Sequence, residues 1–367
     1  MSIPALPKIV DGKIQSRAVT FTNWNFPVEL RTVELATASA EDIVKPNEIL
    51  VKTAAASINP ADCVIKSLTP PWFFGSTVKT MGGDFSGVVL KAGSKTVYKP
   101  GDRVHGDMIS PTAIAGSLSE YLLFDPEKIV FCGKIPEGMS FIQAAATPLA
   151  GGASYEALKA HEGPLQGAHL LVLGAGTSVG SYAIQFAKSF FGVKTVTGTC
   201  SPRSFERVRA LGADNVVDYT KRGSHELEGI LEDVKENGKY DIVIDCVRDP
   251  ILYGNLDLVL KPKAEKGVFV QVMGSKSLDY KNVSIVDILP PRDFFIEQTK
   301  EVLHLSKFRF ASLMEYPDKT YLPALHQLWA RNQLHIDIDS IHKIEDFQVA
   351  YDKVASCGAQ GKVILTF

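Results

Sequence analysis

The stretch Leu170–Lys188, LLVLGAGTSVGSYAIQFAK, decides the fold. Leu170, Leu171, Val172 and Leu173 form an unbroken apolar run, as suits a strand buried on both faces of a parallel sheet. Three glycines follow, Gly174, Gly176 and Gly180. Beyond the first of them Val179, Ala183, Phe186, Ala187 and Phe190 recur at helical spacing, with Ser181, Gln185 and Lys188 on the opposite face. The chain therefore reads strand, glycine-rich turn, helix. N–H groups at a helix start lack partners and point outward, and glycine lets a pyrophosphate approach the backbone. The spacing G-x-G-x-x-x-G is one residue longer than the common dinucleotide fingerprint. The strand before it and the helix after it give the turn a dinucleotide-binding reading. Gly174, Gly176, Thr177, Ser178, Val179 and Gly180 are the residues expected at the phosphates.

Downstream, strands are expected at Lys194–Thr199, Asn215–Tyr219, Tyr240–Val247 and Gly267–Gly274, with helices at Ser204–Leu211 and Glu226–Glu236 between them. This βαβ rhythm predicts an α/β fold with a doubly wound parallel sheet, which binds ligands at the carboxyl ends of its strands. Those ends carry Gly174, Thr199–Arg203, Tyr219, Cys246, Val247, Met273 and Gly274. The second strand's end decides the dinucleotide. It reads Thr199-Cys200-Ser201-Pro202-Arg203, without the acid that an NAD enzyme places there for the ribose hydroxyls. Ser201 and Arg203 can donate to a 2′-phosphate, which a carboxylate would repel. NADPH is the expected cofactor.

Upstream, the chain is β-rich. Ala18–Phe21 and Ile49–Ser57 are expected strands, and Ile58-Asn59-Pro60-Ala61-Asp62 is a break with turn chemistry. Glycine turns at Gly82–Gly87, Gly101 and Gly116 between short strands imply a small barrel. The proline-rich segment holding Trp72, Phe73 and Phe74 reads either as a packed surface loop or as the apolar wall of a substrate cleft. Ser140 is placed to cap an alanine-rich helix over Gln143–Thr147, and a second helix lies near Ser154–Ala160. After the sheet, Phe308–Met314 reads as a strand, Tyr321–Gln333 and Phe347–Ala355 as helices, and Lys362–Leu365 as a closing strand that returns to the first domain. The expected division is 1–140, 141–310 and 311–367.

The 367 residues suffice for about two domains. Apolar content of 45% is ordinary, and a net charge of −2 gives no bias toward nucleic acid. Five scattered cysteines without a C-x-x-C pair argue against a zinc lobe and fit a reducing, cytoplasmic compartment. The first residues lack the apolar core of a signal peptide, and no run reaches the roughly 18 apolar residues of a spanning helix.

Asn59-Pro60-Ala61-Asp62, Gly82–Val89, Gly101-Asp102-Arg103-Val104, Gly116–Leu122, Gln143–Ala146, Leu211–Asp214, Asp245-Cys246-Val247 and Gly361-Lys362-Val363, together with the glycine turn, give the chain a specific likeness. It resembles the medium-chain dehydrogenase/reductase superfamily in its zinc-free quinone oxidoreductase-like branch. Fungal trans-acting enoyl reductases and an uncharacterised yeast group look most similar. The resemblance implies a GroES-like barrel plus a Rossmann domain, with the cofactor between them and Asn59 and Ser154 near the nicotinamide. It supports Tyr219 beside the 2′-phosphate, and homodimers are common in the family. Zinc-dependent relatives use a Cys and a Gly-His-Glu segment where this chain has Asn59 and Gly83-Asp84, so the metal is expected to be absent. Related reductases usually carry Gly-Gly at Thr177-Ser178. A β-branched Thr resists a left-handed backbone, so the turn either differs locally or lends its hydroxyls to phosphate. The tyrosine donor of some enoyl reductases is missing, which leaves solvent as the proton source or a quinone as the acceptor. The implied activity is hydride transfer to a small-molecule quinone or α,β-unsaturated carbonyl. Two alternatives stand beside it: an NADPH-binding protein with little turnover, and a peripheral protein at a lipid surface.

Overall fold

The computed structural model describes residues 3–39, 42–74, 77–220, 225–272, 278–281, 283–289, 291–313 and 319–367. Six strands form one parallel sheet: β1 His169–Leu173, β2 Thr195–Cys200, β3 Asn215–Asp218, β4 Ile242–Asp245, β5 Val268–Val272 and β6 Arg309–Leu313. Their order across the sheet is β3-β2-β1-β4-β5-β6. The order reverses between β1 and β4, so a crevice opens at the carboxyl ends of those strands, beside Gly174. The apolar run of β1 serves both faces. Leu170 and Val172 join Ile242 and Ile244 in one core, while Leu171 and Leu173 join Val243 in another.

Helix α1, Ser178–Ser189, lays Ala183, Phe186 and Ala187 on the first of these cores. Of its expected polar face, Ser181 and Gln185 are buried too, while Lys188 is half-buried and pairs with Asp214. Ser181 Oγ donates to Asp337 Oδ2 at 3.1 Å, and Gln185 exchanges bonds with the His335 backbone at 3.0 and 2.6 Å. The segment before the last strands covers that side and supplies these partners.

The remaining strands build the other region. Lys13–Phe21 and Glu29–Ala36 lie in a four-stranded antiparallel sheet with Ile9–Val10 and Lys79–Thr80. A seven-stranded sheet runs Ile338–Lys343, Lys362–Thr366, Ile49–Ile58, Asp84–Ala92, Arg103–Asp107 and Phe131–Lys134, with Tyr121–Phe124 also paired to Ile49–Ile58. The final strand is antiparallel to Ile49–Ile58, with Val363 opposite Ile58. The helix Phe141–Ala145 is capped by Ser140, whose Oγ accepts the Gln143 N–H at 3.2 Å while Gln143 Oε1 accepts the Ser140 N–H at 3.0 Å. The expected break at Ile58–Asp62 is instead a helix start. Asn59 is the N-cap, Pro60 the first helical residue and Asp62 the third, in a helix that runs to Ser67. Proline's missing N–H costs nothing at that position.

Candidate active site

The glycine turn is shaped by close approach. Gly174 takes φ +79°, and a Cβ there would lie 2.4 Å from Val247 Cγ1. A Cβ on Gly180 would lie 2.5 Å from the Gly174 oxygen. These contacts seat the helix start directly over the end of β1, leaving a cradle of the kind a pyrophosphate fits. Thr177 needs no glycine freedom. Its backbone is extended, at φ −78° and ψ 164°, and it is the N-cap of α1. Its Oγ1 accepts the Gly180 N–H at 3.1 Å and donates to the Gly174 oxygen at 2.8 Å. The left-handed residue of this turn is Gly174, and the Thr177 hydroxyl is used inside the turn. Ser178 and Val179 open the helix beside it.

Neighbouring strand ends converge on the cradle. The Cys246 N–H donates to the Leu173 oxygen at 3.0 Å, and burial pushes its thiol well above the usual range. Ser154 lies inside the helix Pro148–Lys159, not at its start, and is buried. Its Oγ is within 2.6 Å of the Ala150 oxygen and 2.7 Å of the Val179 oxygen, which ties that helix to the turn. Ser201 and Arg203 follow β2 directly, with Arg203 in the 3-10 turn Pro202–Ser204 and exposed. Tyr219 is half-buried in the turn after β3. Met273 and Gly274 lie outside the described residues.

Ser204 and Arg207 also belong to the cradle, and the sequence reading missed both. A Cβ on Gly176 would lie 3.3 Å from Ser204 Oγ and 3.5 Å from Arg207 Nη2. Arg207 Nη2 donates to the Gly176 oxygen at 2.7 Å, while Nη1 pairs with Asp337 Oδ2 at 2.5 Å. The available signal was a second arginine, Arg207, four residues beyond Arg203 in the expected helix.

A second constellation lies in the barrel around Asn59. Its Nδ2 donates to Asp84 Oδ2 at 3.0 Å and its Oδ1 accepts from Lys362 Nζ at 2.5 Å. Lys362 also pairs with Asp84 Oδ2 at 2.8 Å, and Ser57 Oγ donates to that oxygen at 2.6 Å. Asp84 Oδ1 accepts the Leu149 N–H at 2.8 Å, joining the cluster to the helix that carries Ser154. Asp84 and Lys362 are buried, so each charge depends on the other. Two further carboxyls crowd the pair. Asp107 is pushed well above the usual carboxylate range by burial and by Asp84. Burial, with the Asp84 charge adding to it, raises Asp62 to about 7, although the Asn59 N–H bond at 2.7 Å and Lys362 pull the other way. Asp84 and Lys362 carried the family likeness in sequence, but no local pattern announced that they meet.

Gly83 explains what the cluster holds. A Cβ there would lie 2.5 Å from Asp107 Oδ1 and 2.7 Å from Ile109 Cβ. Asp107 thus fills the space into which a histidine at Gly83 would have to grow. Among the described residues no group of three or more His, Cys, Asp or Glu side chains is placed to hold a metal ion.

Next to the cluster is a small, partly open hollow of about 20 Å³, room for a water molecule. Phe21, Ile65, Met81, Met108 and Ile109 wall it, and Asp62 lines it with them. Trp72 is not among its lining residues. It is 77% exposed, on the short helix Pro71–Phe74, edge-on to Trp24 with ring centroids 5.1 Å apart. The side chains of Phe73 and Phe74 lie outside the described residues.

The barrel, the six-stranded sheet with its reversal and the glycine cradle define a medium-chain dehydrogenase/reductase. Family models agree: an alcohol dehydrogenase GroES-like domain matches residues 45–137 and a zinc-binding dehydrogenase domain residues 211–365. Among solved structures, the quinone oxidoreductase from Coxiella burnetii superposes with a TM-score of 0.73 at 24% identity, over 96% of this chain and 99% of that one. The CurK enoyl reductase does so with a TM-score of 0.72 at 19% identity, over 96% and 99%. Protein YIM1-2 of Lachancea thermotolerans is 31% identical over 361 residues, 96% of this chain and 98% of the relative. Protein YIM1 of Saccharomyces cerevisiae is 29% identical over 367 residues, 97% and 99%. The chain belongs to the YIM1 family, within that superfamily.

Proposed function

We propose that the chain is a zinc-independent, NADPH-dependent reductase that transfers hydride to a quinone or an α,β-unsaturated carbonyl. The observation that carries this reading is the glycine cradle at the sheet's switch point, tied through the helix Pro148–Lys159 to the Asn59–Asp84 cluster of the barrel. Two structural neighbours, a quinone oxidoreductase and an enoyl reductase, support the acceptor class. When bound, the reduced nicotinamide supplies the hydride.

The chain's own residues bind and orient. Helix-start N–H groups at Ser178 and Val179 take the pyrophosphate, and Ser201, Arg203 and Tyr219 take the 2′-phosphate. Cys246 and Val247 back the turn, and Asn59 and Ser154 fix the wall beside the nicotinamide. Trp72, Phe73 and Phe74 belong to the acceptor entrance in this reading. Titration calorimetry with NADPH and NADH, followed by cofactor oxidation assays with a quinone and an enone, tests it. Arg203→Ala should weaken NADPH by about tenfold and leave NADH nearly unchanged, since a charge-assisted bond is worth roughly 1.5–3 kcal/mol and exposure favours the lower end. Preferential NADH binding by the unmodified protein would overturn the cofactor assignment.

A further inference from the structure

We infer that Asp337 is a positioning residue for the dinucleotide: it reaches the glycine cradle from the segment that returns to the barrel and ties that cradle to the barrel's last strand. The inference rests on the dinucleotide-binding reading above and is independent of the acceptor. Asp337 immediately precedes the strand Ile338–Lys343, and its side chain is 12% exposed. The carboxylate collects three side chains. Oδ2 accepts from Arg207 Nη1 at 2.5 Å and from Ser181 Oγ at 3.1 Å, and Oδ1 lies 3.0 Å from His335 Nε2.

Two of these contacts lead back to the cradle. Ser181 stands one turn into α1, and the second nitrogen of Arg207, Nη2, donates to the Gly176 oxygen at 2.7 Å. The backbone of Asp337 leads the other way. Its carbonyl accepts the Lys362 N–H at 2.8 Å, and Lys362 Nζ reaches Asn59 Oδ1 and Asp84 Oδ2 inside the barrel. Gly361 permits this approach. It takes φ +149°, and a Cβ there would lie 2.7 Å from the Asp337 oxygen. One residue thus joins the glycine turn, the helix behind it and the strand Lys362–Thr366.

The peptide between Gly176 and Thr177 is where the tie acts. Arg207 holds its carbonyl, and its N–H donates to the Gly174 oxygen at 3.0 Å. The next two N–H groups, of Ser178 and Val179, open the helix and have no partner within it. The plane of the held peptide sets the direction in which they point. Asp337 fixes the guanidinium between carboxylate and carbonyl by a charge-assisted bond. Without that carboxylate the arginine loses its counter-ion and its hold on the carbonyl slackens. Donors fixed beforehand need no ordering when a phosphate arrives, whereas loose ones are ordered at the expense of affinity. Asp337 contributes no group to either dinucleotide, so its loss weakens NADPH and NADH alike. Linkage makes the effect reciprocal: a bound dinucleotide steadies the paired strands Ile338–Lys343 and Lys362–Thr366 by the same free energy.

Asp337→Asn keeps the size of the side chain and removes its charge. Titration calorimetry on the full chain should show the dissociation constants of NADPH and NADH both rising about tenfold, the worth of one charge-assisted hydrogen bond. Their ratio should stay as it is in the unmodified protein. The double variant Asp337→Asn/Arg207→Met should bind no more weakly than Arg207→Met alone, because the carboxylate acts only through the arginine. Hydrogen exchange adds a readout that a merely structural ion pair would not move. NADPH should slow exchange across residues 338–343 and 362–366 in the unmodified protein, and that protection should vanish in Asp337→Asn. Should Asp337→Asn fail to fold, the exchange measurement on the unmodified protein decides together with Arg207→Lys, which keeps the cation but cannot span both acceptors. Arg207→Lys should weaken both dinucleotides equally. Normal binding by that variant, or no protection of the two strands by NADPH, overturns the inference. An Asp337→Asn protein that unfolds more easily yet binds both dinucleotides normally overturns it too, as does a loss confined to NADPH, which would place Asp337 at the 2′-phosphate. Unmodified protein that binds neither dinucleotide removes the cofactor reading and this role together, so the two failures are told apart.

Discussion

Arg207 holds two parts of the molecule at once, the Gly176 carbonyl and the Asp337 carboxylate. Its loss should therefore act differently from the loss of Arg203. Arg207→Met is expected to weaken NADPH and NADH alike, because it releases the turn that both dinucleotides share. Calorimetry with the two cofactors separates that outcome from the NADPH-selective loss expected for Arg203→Ala. Lys362 makes a second point about single residues. Lys362→Met leaves Asp84 buried without its cation and should cost about 3–5 kcal/mol, measured by denaturant unfolding. The double variant Asp84→Asn/Lys362→Met should recover much of that loss, since replacing both charges is far cheaper than stranding one. Equal instability of the single and double variants would mean that the ion pair is not what matters at Lys362.

Helix α1 shows what a local element requires. Thr177→Val keeps the shape and removes the capping hydroxyl, so it should destabilise by about 1 kcal/mol, whereas Thr177→Ser should be nearly neutral in thermal unfolding. The strand–turn–helix unit was legible in sequence because period and glycine spacing are local properties. The burial of Ser181 and Gln185 was not, because it depends on His335 and Asp337 arriving from elsewhere in the chain. The same limit hid Glu29–Ala36 and Ile338–Lys343, whose mixed polar and apolar residues are half-buried or exposed. The helix Arg292–Val302 escaped because among its described residues Phe294 alone is buried. At Asn59 the polar, proline-containing segment read as a turn, although an N-cap and a first-turn proline are equally the start of a helix. The chemistry of the site was legible as residue types. Its charge balance was not, because Asp62, Asp84, Asp107 and Lys362 come together only in three dimensions.

At the scale of the whole molecule, buried titratable groups tie stability to pH. His105 is buried in the barrel, and burial lowers it from 6.5 to about 4. The unfolded chain therefore takes up this proton first as pH falls. The stability His105 confers is full above about 6.5 and is lost as pH drops toward 4. Asp62 works in the opposite sense, since its raised value favours the fold at low pH and withdraws that stability as pH rises through about 7. His105→Asn should remove part of the acid sensitivity, seen as a flatter dependence of the unfolding midpoint on pH between 6.5 and 4. Lys362 finally bears on how the molecule is made. It stands 303 residues from Asn59 and 278 from Asp84 along the chain. During synthesis the barrel's early strands leave the ribosome long before the strand that fills the gap beside Ile49–Ile58. They carry a carboxylate destined for burial with no cation yet to meet it. The parallel sheet, whose strands lie between residues 169 and 313, is complete first. A nascent chain should thus wait with a finished nucleotide-binding half and an open barrel, exposed to chaperones and proteases until Lys362–Thr366 is released and seals it.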